Sequence, residues 1–300
     1  MSKITFSIVI CTLNRPLDLN NCLKSILLQT YPIYEVIIVD ASSNKDTRLV
    51  INDFTNTTRL TFQYIHSKPG LTNQRNIGVQ SSSGDVIAFL DDDVILEPDY
   101  LKVMSSVFSD SKVDGATGHI IHNFKQNKLE SFFHKFFFLT DRSKKGYMKR
   151  SGFASFVDPN SADDIQPTDI LSGCNMLFRK YIFDFYLFDE FFDGYSLMED
   201  VEFSYRASKT FNFFFIKKAT LSHVLSKNER IDLKKYFEMA VVNHFHVFNR
   251  NVYSSITDWP FFFWSTLGIL IKCLFWCFKE KNFSSIKGFL CGHSEILKTF

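Results

Sequence analysis

The sequence predicts an α/β protein in which a mainly parallel, doubly wound sheet is flanked by helices and followed by an aromatic-rich helical extension. Over the first hundred residues, short apolar runs alternate with segments whose apolar residues recur at helical spacing. The runs at 35–39 and 86–90 are almost wholly apolar, as expected of parallel strands that are covered on both faces. Acidic residues follow both runs, at the edge where open α/β sheets bind ligands.

The first strand and helix follow from residue type and spacing. Phe6–Thr12 is rich in β-branched residues and is predicted as a strand. After it, Asn14 is predicted to cap a helix that has Pro16 in its first turn. The apolar face of that helix comprises Leu19, Cys22, Leu23, Ile26 and Leu27. The second strand, at 35–39, leads into Asp40, which either contacts a ligand or caps the next helix.

A third strand is predicted at 60–65, and a helix is expected to open near Asn73. Arg75 lies early in this helix, where it would pair with a nucleotide phosphate or with the acidic residues Asp40 and Asp91. The ordinary alternative for a single arginine is a surface ion pair.

The fourth strand, Val86–Leu90, is followed by three consecutive carboxylates, Asp91, Asp92 and Asp93. Three like charges at one strand end repel one another and resist desolvation unless a cation lies among them. Mg2+ and Mn2+ take oxygen ligands and are often held by one or two carboxylates together with substrate phosphates. A solvated acidic turn is the alternative. The glycine-rich fingerprints of dinucleotide and P-loop sites are absent from the sequence, which argues against those classes.

Composition narrows the class of protein further. A net charge of +2 without a basic block gives no case for nucleic acid as a partner. The six cysteines lack metal-ligand spacing and are interpreted as reduced thiols. The first apolar run is interrupted at 14–16, too early for a signal peptide. We therefore expect the body of the protein in the cytoplasm.

Seven motifs resemble, in their order and separation, those of glycosyltransferase family 2, whose members have the GT-A fold. They lie at 12–16, 39–43, 74–78, 84–85, 89–93, 173–179 and 199–206. The resemblance covers about residues 5–225. It implies a metal-dependent, inverting enzyme that uses Mn2+ or Mg2+. Such an enzyme would transfer one sugar from a nucleotide-diphosphate sugar to a glycan or polyprenyl-linked saccharide in cell-surface polysaccharide synthesis.

The resemblance also implies a donor site and a metal site. The donor site would comprise Thr12, Asn14, Arg15, Asp40, Arg75, Asp91 and Asp92. In it, Asp40 would accept hydrogen bonds from the base, and Asp91 would face the ribose or the donor sugar. Asp93 would be the clearest metal ligand, with Asp91 beside it and His223 close to the metal or diphosphate. A lone histidine is otherwise more often a structural residue.

Glu199 and Asp200 begin a segment with helical spacing, and the dipole of a helix stabilises acids in its first turn. By resemblance, this pair is catalytic and Asp200 is the general base that removes the proton of the acceptor hydroxyl. Without the resemblance, both are helix-end acids. The acceptor side would comprise Gly173, Cys174, Asn175 and Arg179, the last as a phosphate contact.

Two departures from the family pattern leave the donor open. Ala41 stands where a second aspartate is common, and Met198 stands where glycine is common. The Q-x-x-R-W motif of processive synthases is absent, which favours a single addition. A protein that binds the sugar nucleotide as an inactive scaffold is the rival interpretation.

An aromatic run, 132–138, precedes a basic stretch. The basic residues are Arg142, Lys144, Lys145, Lys149 and Arg150. Three interpretations are open: an anionic membrane surface, a loop over a phosphate-bearing substrate, or ordinary core.

The C-terminal part is predicted to be helical, with an amphipathic segment from Leu233 and a nearly apolar segment at 259–278. Lys272 interrupts the apolar segment, while its tryptophans favour an interfacial position. A membrane-associated helix is expected; a single span, a core helix and a contact between copies in a homo-oligomer are the alternatives. We predict a catalytic domain at 1–228, with a nucleotide-sugar half at 1–100 and an acceptor half at 101–228. The extension at 229–300 would attach it to the inner face of the cell membrane.

Overall fold

The computed structural model describes residues 3–121, 127–224 and 232–298. Its strands are β1 (Phe6–Thr12), β2 (Glu35–Asp40), β3 (Phe62–His66), β4 (Val86–Asp91), β5 (Val94–Leu96), β6 (Gly115–Ile121), β7 (Asp141–Ser143), β8 (Tyr147–Met148), β9 (Ala154–Val157), β10 (Ile165–Pro167), β11 (Asn175–Arg179) and β12 (Phe213–His223). Its α-helices are α1 (Pro16–Leu27), α2 (Asp46–Thr57), α3 (Leu71–Ser81), α4 (Tyr100–Phe108), α5 (Lys128–Phe136), α6 (Glu199–Ser208), α7 (Leu233–Val247), α8 (Trp259–Glu280) and α9 (Ser284–Leu297).

Nine of the described strands form one twisted central sheet, in the order β10-β12-β6-β11-β4-β1-β2-β3 with β5 paired to β12. The four strands β1 to β4 pair in parallel, as do β6 and β12. Strand β11 runs antiparallel between β4 and β6, and its register puts Asn175 opposite Leu90. The prediction of a mainly parallel α/β sheet is therefore confirmed.

Successive side chains of the inner strands point to opposite faces of the sheet, and both faces are buried. On β1, Ile8 and Ile10 belong to the apolar cluster that includes α1 and α4. Val9 points the other way, into a cluster with Phe178 of β11 and Phe203 of α6. Two covered faces explain why these strands read as continuous apolar runs.

Most predicted elements are present, with shifted ends. The third strand is Phe62–His66 instead of 60–65, and the helix that carries Arg75 begins at Leu71. The predicted cap is wrong. Arg15, not Asn14, precedes the first helical residue, and Asn14 has a left-handed backbone with φ of 54°. The Asn14 side chain instead accepts a hydrogen bond from the Ser43 amide, which joins the loops after β1 and β2.

The helices α7, α8 and α9 share an apolar cluster with the segment that follows α5. Phe137 and Leu139 pack there with Phe237, Ile269 and Cys273. The helical prediction for this part of the chain is confirmed. The predicted domain boundary at 228 lies outside the described residues, so the division of the chain stays a prediction.

Helix α8 and the turn before it, 256–280, are long and apolar enough to cross a membrane by length and composition. One side of α8 faces the protein, because Gly268 lies against the Phe137 ring and Lys272 Nζ lies 3.4 Å from His134 Nε2. The lysine that interrupts the apolar sequence therefore points toward the protein.

His244 of α7 is buried and connects the C-terminal helices with the rest of the fold. Its Nε2 lies 2.6 Å from the carbonyl oxygen of Ser151, and its ring stacks between Phe153 and Phe262. Burial lowers the pKa of His244 to about 4; the Ser151 carbonyl opposes this shift and the charge of His293 adds to it.

We predict that the free energy of unfolding falls as the pH decreases from about 6.5 toward 4. In that range the unfolded chain binds a proton that His244 does not bind in the native state, so acid favours unfolding. The difference between a pKa of about 4 and the ordinary 6.5 corresponds to about 3 kcal/mol. Urea unfolding at several pH values should show a shallower pH dependence for His244→Gln than for the parent protein. The control is His66→Gln at an exposed position, and equal slopes for parent and His244→Gln would contradict this prediction.

Candidate active site

Two carboxylates and an imidazole meet where β4 ends. Asp91 is the last residue of β4, and Asp93 lies in the turn that leads into β5. Strand β5 then pairs antiparallel with the end of β12, which puts His223 opposite Val94. As a result, His223 Nε2 lies 2.9 Å from Asp93 Oδ1 and 4.0 Å from Asp91 Oδ2.

This donor set fits a divalent cation. One ligand atom from each of Asp91, Asp93 and His223 lies within 4.8 Å of the others. Burial lowers the pKa of His223, but hydrogen bonds to Asp93 and Cys174 outweigh it and raise the pKa to about 11. Binding of a metal would therefore release the imidazole proton. The three residues that the sequence predicted as metal ligands are brought together, and their role stays a prediction.

Asp92, between Asp91 and Asp93, is buried. Its carboxylate accepts a 2.6 Å hydrogen bond from Thr12 Oγ1 and one of 3.3 Å from the Arg15 guanidinium. Burial raises the pKa of Asp92 to about 7, and these two partners oppose the shift. Asp92 thus ties the loop after β1 to the acidic turn, and Arg15 Nη1 lies 3.8 Å from Asp93 Oδ2.

Asp40, the predicted partner of the base, has no exposed surface. Its Oδ1 accepts the Ser42 amide and its Oδ2 accepts the Tyr64 hydroxyl, each at 2.9 Å. A base could contact Asp40 only after Tyr64 or the neighbouring loop had moved.

Arg75 is only 3% exposed and joins three parts of the site. Its guanidinium contacts Glu199 Oε1 at 2.5 Å and donates to the Gly173 carbonyl oxygen at 3.2 Å. Asp91 Oδ1 lies 3.9 Å away. The predicted alternative of a pair with Asp91 is present as the longer contact, but the main partner, Glu199, was not among the predicted partners.

Asp200 lies in the first turn of α6, as the spacing predicts. Its Oδ2 accepts the Gly173 amide at 2.8 Å and its Oδ1 accepts the Val201 amide at 2.8 Å. Burial raises the pKa of Asp200, while the Gly173 amide and the charge of Arg75 oppose the shift. Glu199 is bound to Arg75, so Asp200 is the acid of the pair whose carboxylate is held by backbone amides alone.

Two backbone features produce this geometry. A Cβ at Gly173 would lie 3.0 Å from Asp200 Oδ2, so a larger residue would disturb the carboxylate. Met198 has φ of 76°, in the left-handed region that favours glycine. This explains why a glycine would suit that position. In this chain the left-handed residue is a methionine.

Two of the predicted acceptor-side residues have buried side chains. Asn175 is wholly buried, and its Oδ1 accepts the Tyr100 hydroxyl, the Thr117 hydroxyl and the Gly118 amide. Cys174 is also buried, and its Sγ lies 3.6 Å from Ser172 Oγ. These two side chains support the beginning of β11 from within, and their placement on the acceptor side stays a prediction.

The phosphate contact predicted for Arg179 is corrected. It pairs with Val86, at the opposite end of β4 from Asp91. Its guanidinium donates to the carbonyl oxygens of Phe108 at 2.6 Å and Val113 at 2.8 Å, next to the end of α4. A phosphate at the acidic edge is therefore out of its reach.

A cavity of about 350 Å³ adjoins His223, and sequence reasoning did not assign it. Its polar lining comprises Ser131, His134, Thr140, Asp141, Arg142 and Ser172. Of the basic stretch, Arg142 lines the cavity, whereas Lys149 pairs with Asp141 and Arg150 pairs with Asp258. The stretch is thus divided between a cavity, ion pairs and the exposed residues Lys144 and Lys145. Its composition was the only sequence signal for this wall.

We predict that Asn175→Ala lowers the free energy of unfolding by about 3 kcal/mol or more, because three buried donors lose their acceptor and each unsatisfied group costs about 1–3 kcal/mol. Chemical unfolding measures the change, with Asn52→Ala at an exposed helical position as the control. A loss under about 1 kcal/mol would contradict the structural role.

A family model described as "Glycosyl transferase family 2" matches residues 7–187. The glucosyl-dolichyl phosphate glucuronosyltransferase of Haloferax volcanii is 26% identical over 144 residues, which are 47% of this chain and 46% of that protein. The hyaluronan synthase of Streptococcus pyogenes is 33% identical over 113 residues, 36% of this chain and 27% of the synthase. The chain thus spans less than half the length of these curated relatives.

Solved structures share the fold at low sequence identity. A crystal structure of GalNAc-T7 with UDP, GalNAc and Mn2+ matches with a TM-score of 0.61 and 15% identity, over 80% of this chain and 48% of that one. Residues 1–349 of S. aureus TarS match with a TM-score of 0.56 and 14% identity, over 89% of this chain and 72% of that one.

Proposed function

The chain belongs to glycosyltransferase family 2, and we propose that it transfers one sugar from a nucleotide-diphosphate sugar to a glycan or lipid-linked acceptor in polysaccharide or glycolipid synthesis. One observation carries this proposal. The carboxylate–imidazole cluster and Asp200 lie at the same sheet edge, and the Arg75 guanidinium links their supports. A metal-binding group and a base are the two functions that transfer to a hydroxyl requires.

In this proposal, Asp91, Asp93 and His223 hold the metal. Carboxylates suit Mg2+ and Mn2+, and an imidazole ligand is more typical of transition metals, so the mixed set favours Mn2+. When bound, the metal would act as a Lewis acid that stabilises the charge of the leaving nucleoside diphosphate. The GalNAc-T7 structure, which shares the fold, contains UDP and Mn2+.

We assign the donor to the loops after β1 and β2. The Arg15 side chain is partly exposed beside Asp93, where it would contact the diphosphate. Asp92 accepts hydrogen bonds from both Thr12 and Arg15, and so helps to position the Arg15 guanidinium. The base would lie near Asp40 and Asn14, with the adjustment of Tyr64 described above.

Asp200 would take the proton of the acceptor hydroxyl. The Gly173 amide orients its carboxylate, and burial raises its pKa above that of an ordinary aspartate, which makes it a better proton acceptor. Attack of the hydroxyl from the side opposite the leaving group would invert the anomeric carbon. Glu199 serves by holding Arg75 in this assignment.

We also propose peripheral attachment to the inner face of the cell membrane. Helix α8 packs one side on the protein through Gly268 and exposes Leu274 and Phe278 on another. A helix with one packed side and one exposed apolar side suits the interface better than a complete span.

We predict that Asp93→Ala abolishes metal-dependent donor binding. In a thermal-shift screen of UDP-, GDP- and dTDP-sugars, the parent protein should be stabilised by one nucleotide class with Mn2+. Ligand at 100 times Kd contributes about 2.7 kcal/mol, which is a shift of several degrees. The shift should disappear in Asp93→Ala and persist in the exposed control Asp53→Ala. A full shift in Asp93→Ala would remove Asp93 from the metal site.

We predict that Asp200→Asn lowers kcat for transfer by about 10²–10⁴-fold, because a general base contributes about that much. The asparagine side chain has one acceptor oxygen and keeps one of the two backbone hydrogen bonds that Asp200 accepts, so the donor-dependent thermal shift should remain. Transfer by Asp184→Asn, at an exposed acid, should match the parent. Near-normal turnover by Asp200→Asn would refute its role. Donor binding without transfer by the parent across a panel of acceptors would favour the inactive scaffold.

A further inference from the structure

We propose that the cavity beside His223 binds a phosphate group of the acceptor, and that an apolar surface on α5 and α8 binds the acceptor's lipid chain. The apolar surface is defined by Phe132, Phe136, Phe263, Leu267 and Phe275. This inference rests on the proposed function and narrows its acceptor to a sugar that is linked through phosphate to a long apolar chain.

The position of the cavity connects it with the proposed chemistry. His223 forms part of its lining, and the same side chain lies 2.9 Å from Asp93. Ser172 lines it as well and directly precedes Gly173, whose amide holds Asp200. A molecule in the cavity would therefore lie beside both the metal cluster and the base.

The lining of the cavity suits an anion. Arg142 supplies a guanidinium, whose Nη1 also donates to the Val157 carbonyl oxygen at 3.4 Å, and Ser131, Thr140 and Ser172 supply hydroxyl groups or backbone next to it. The carboxylate in the lining, Asp141, lies 2.9 Å from the ammonium of Lys149 and is neutralised by it. Arginine binds phosphate in a bidentate geometry and is preferred for this purpose.

Helix α5 links the cavity to the apolar surface. Ser131 and His134 are three residues apart and line the cavity. Phe132 and Phe136 are four residues apart on another face, where they are 65% and 50% exposed and stack on each other. A short helix thus presents polar groups to the cavity and two phenyl rings to the outside.

The surface continues from α5 onto α8. The Trp264 ring lies 5.3 Å from that of Phe136, and its Nε1–H donates to the Phe136 carbonyl oxygen. On α8, Phe263, Leu267 and Phe275 are exposed on one side of the helix. At 1.5 Å per residue this helix is about 33 Å long, enough to follow an extended prenyl chain.

Charge and continuity favour a lipid phosphate as the occupant. The exposed lysines Lys128 and Lys135 lie on α5, and Lys279 and Lys281 lie at the end of α8. Cationic groups beside an apolar surface match an anionic head on an apolar chain. A second copy of this protein would cover the apolar residues but would not account for an arginine-lined cavity at their edge.

The test measures binding of farnesyl phosphate to the full chain by calorimetry, in EDTA and below the concentration at which this lipid forms micelles. The parent should bind it. Arg142→Gln should raise Kd at least tenfold, and Arg142→Lys should restore part of the affinity. Lys145→Gln, an exposed residue of the same basic stretch, should leave Kd unchanged. No binding by the parent, or equal Kd for Arg142→Gln, would overturn the phosphate site.

A second arm tests the lipid chain. Phe132→Ser should weaken farnesyl phosphate severalfold while leaving the weaker binding of inorganic phosphate unchanged. Phe185→Ser is the control, because Phe185 is 71% exposed elsewhere in the fold. Equal Kd for inorganic phosphate and farnesyl phosphate would overturn the lipid part. The lipid part would also be overturned if sedimentation showed that Phe132→Ser converts a dimer to a monomer while the Kd for farnesyl phosphate stays unchanged.

Both arms are independent of the donor. Each variant should retain the nucleotide-dependent thermal shift with Mn2+, which also shows that it is folded. If that shift is absent from the parent but farnesyl phosphate binds as expected, the proposed function fails and the lipid-phosphate site stands. If the shift is present and farnesyl phosphate does not bind, the acceptor assignment fails alone.

Discussion

The candidate site depends on the burial of one positive charge, the Arg75 guanidinium. Burying a charge is costly unless it is paired and hydrogen-bonded, and Arg75 has Glu199 and the Gly173 carbonyl as partners. The Asp91 carboxylate is a more distant partner, 3.9 Å from the guanidinium. Because these partners come from β4, from the loop before β11 and from α6, the arginine fixes three separate segments relative to one another. Its loss would leave Glu199 buried without a counterion.

This constraint explains why the backbone around Asp200 is so tight. The Gly173 carbonyl oxygen accepts a hydrogen bond from Arg75, and the Gly173 amide donates one to Asp200. Both backbone polar groups of this residue are therefore bonded to side chains of the site. The turn into α6 then requires a left-handed residue, which here is Met198. A left-handed methionine is strained, and its burial in a cluster with Phe192 and Val247 offsets the strain. Methionine here therefore holds a backbone conformation that glycine would adopt without strain.

Local patterns predicted the strands of the sheet core, because strands covered on both faces need continuous apolar sequence. They also located Asp91 and Asp93, since acids at the end of a buried strand are unusual. What they did not give was the partner of Arg75, which is 124 residues away in sequence. They also did not reveal the hydrogen bonds that the Asn175 and Arg179 side chains make within the protein. A polar residue in a motif can serve the interior, and only tertiary contacts distinguish a buried hydrogen-bond acceptor from a ligand contact.

The antiparallel direction of β11 determines which residues in and before this strand lie near the acidic residues. Since β11 runs against β4, its beginning lies beside the acidic end of β4 and its far end, with Arg179, lies at the opposite edge. The residues before β11 thus bring Ser172 and Gly173 to the acids. Ser172 then faces the cavity of α5 while Gly173 holds Asp200. Two adjacent residues in this loop therefore connect the lining of the cavity to the carboxylate of Asp200, so a displacement of Ser172 would also move the amide that holds Asp200.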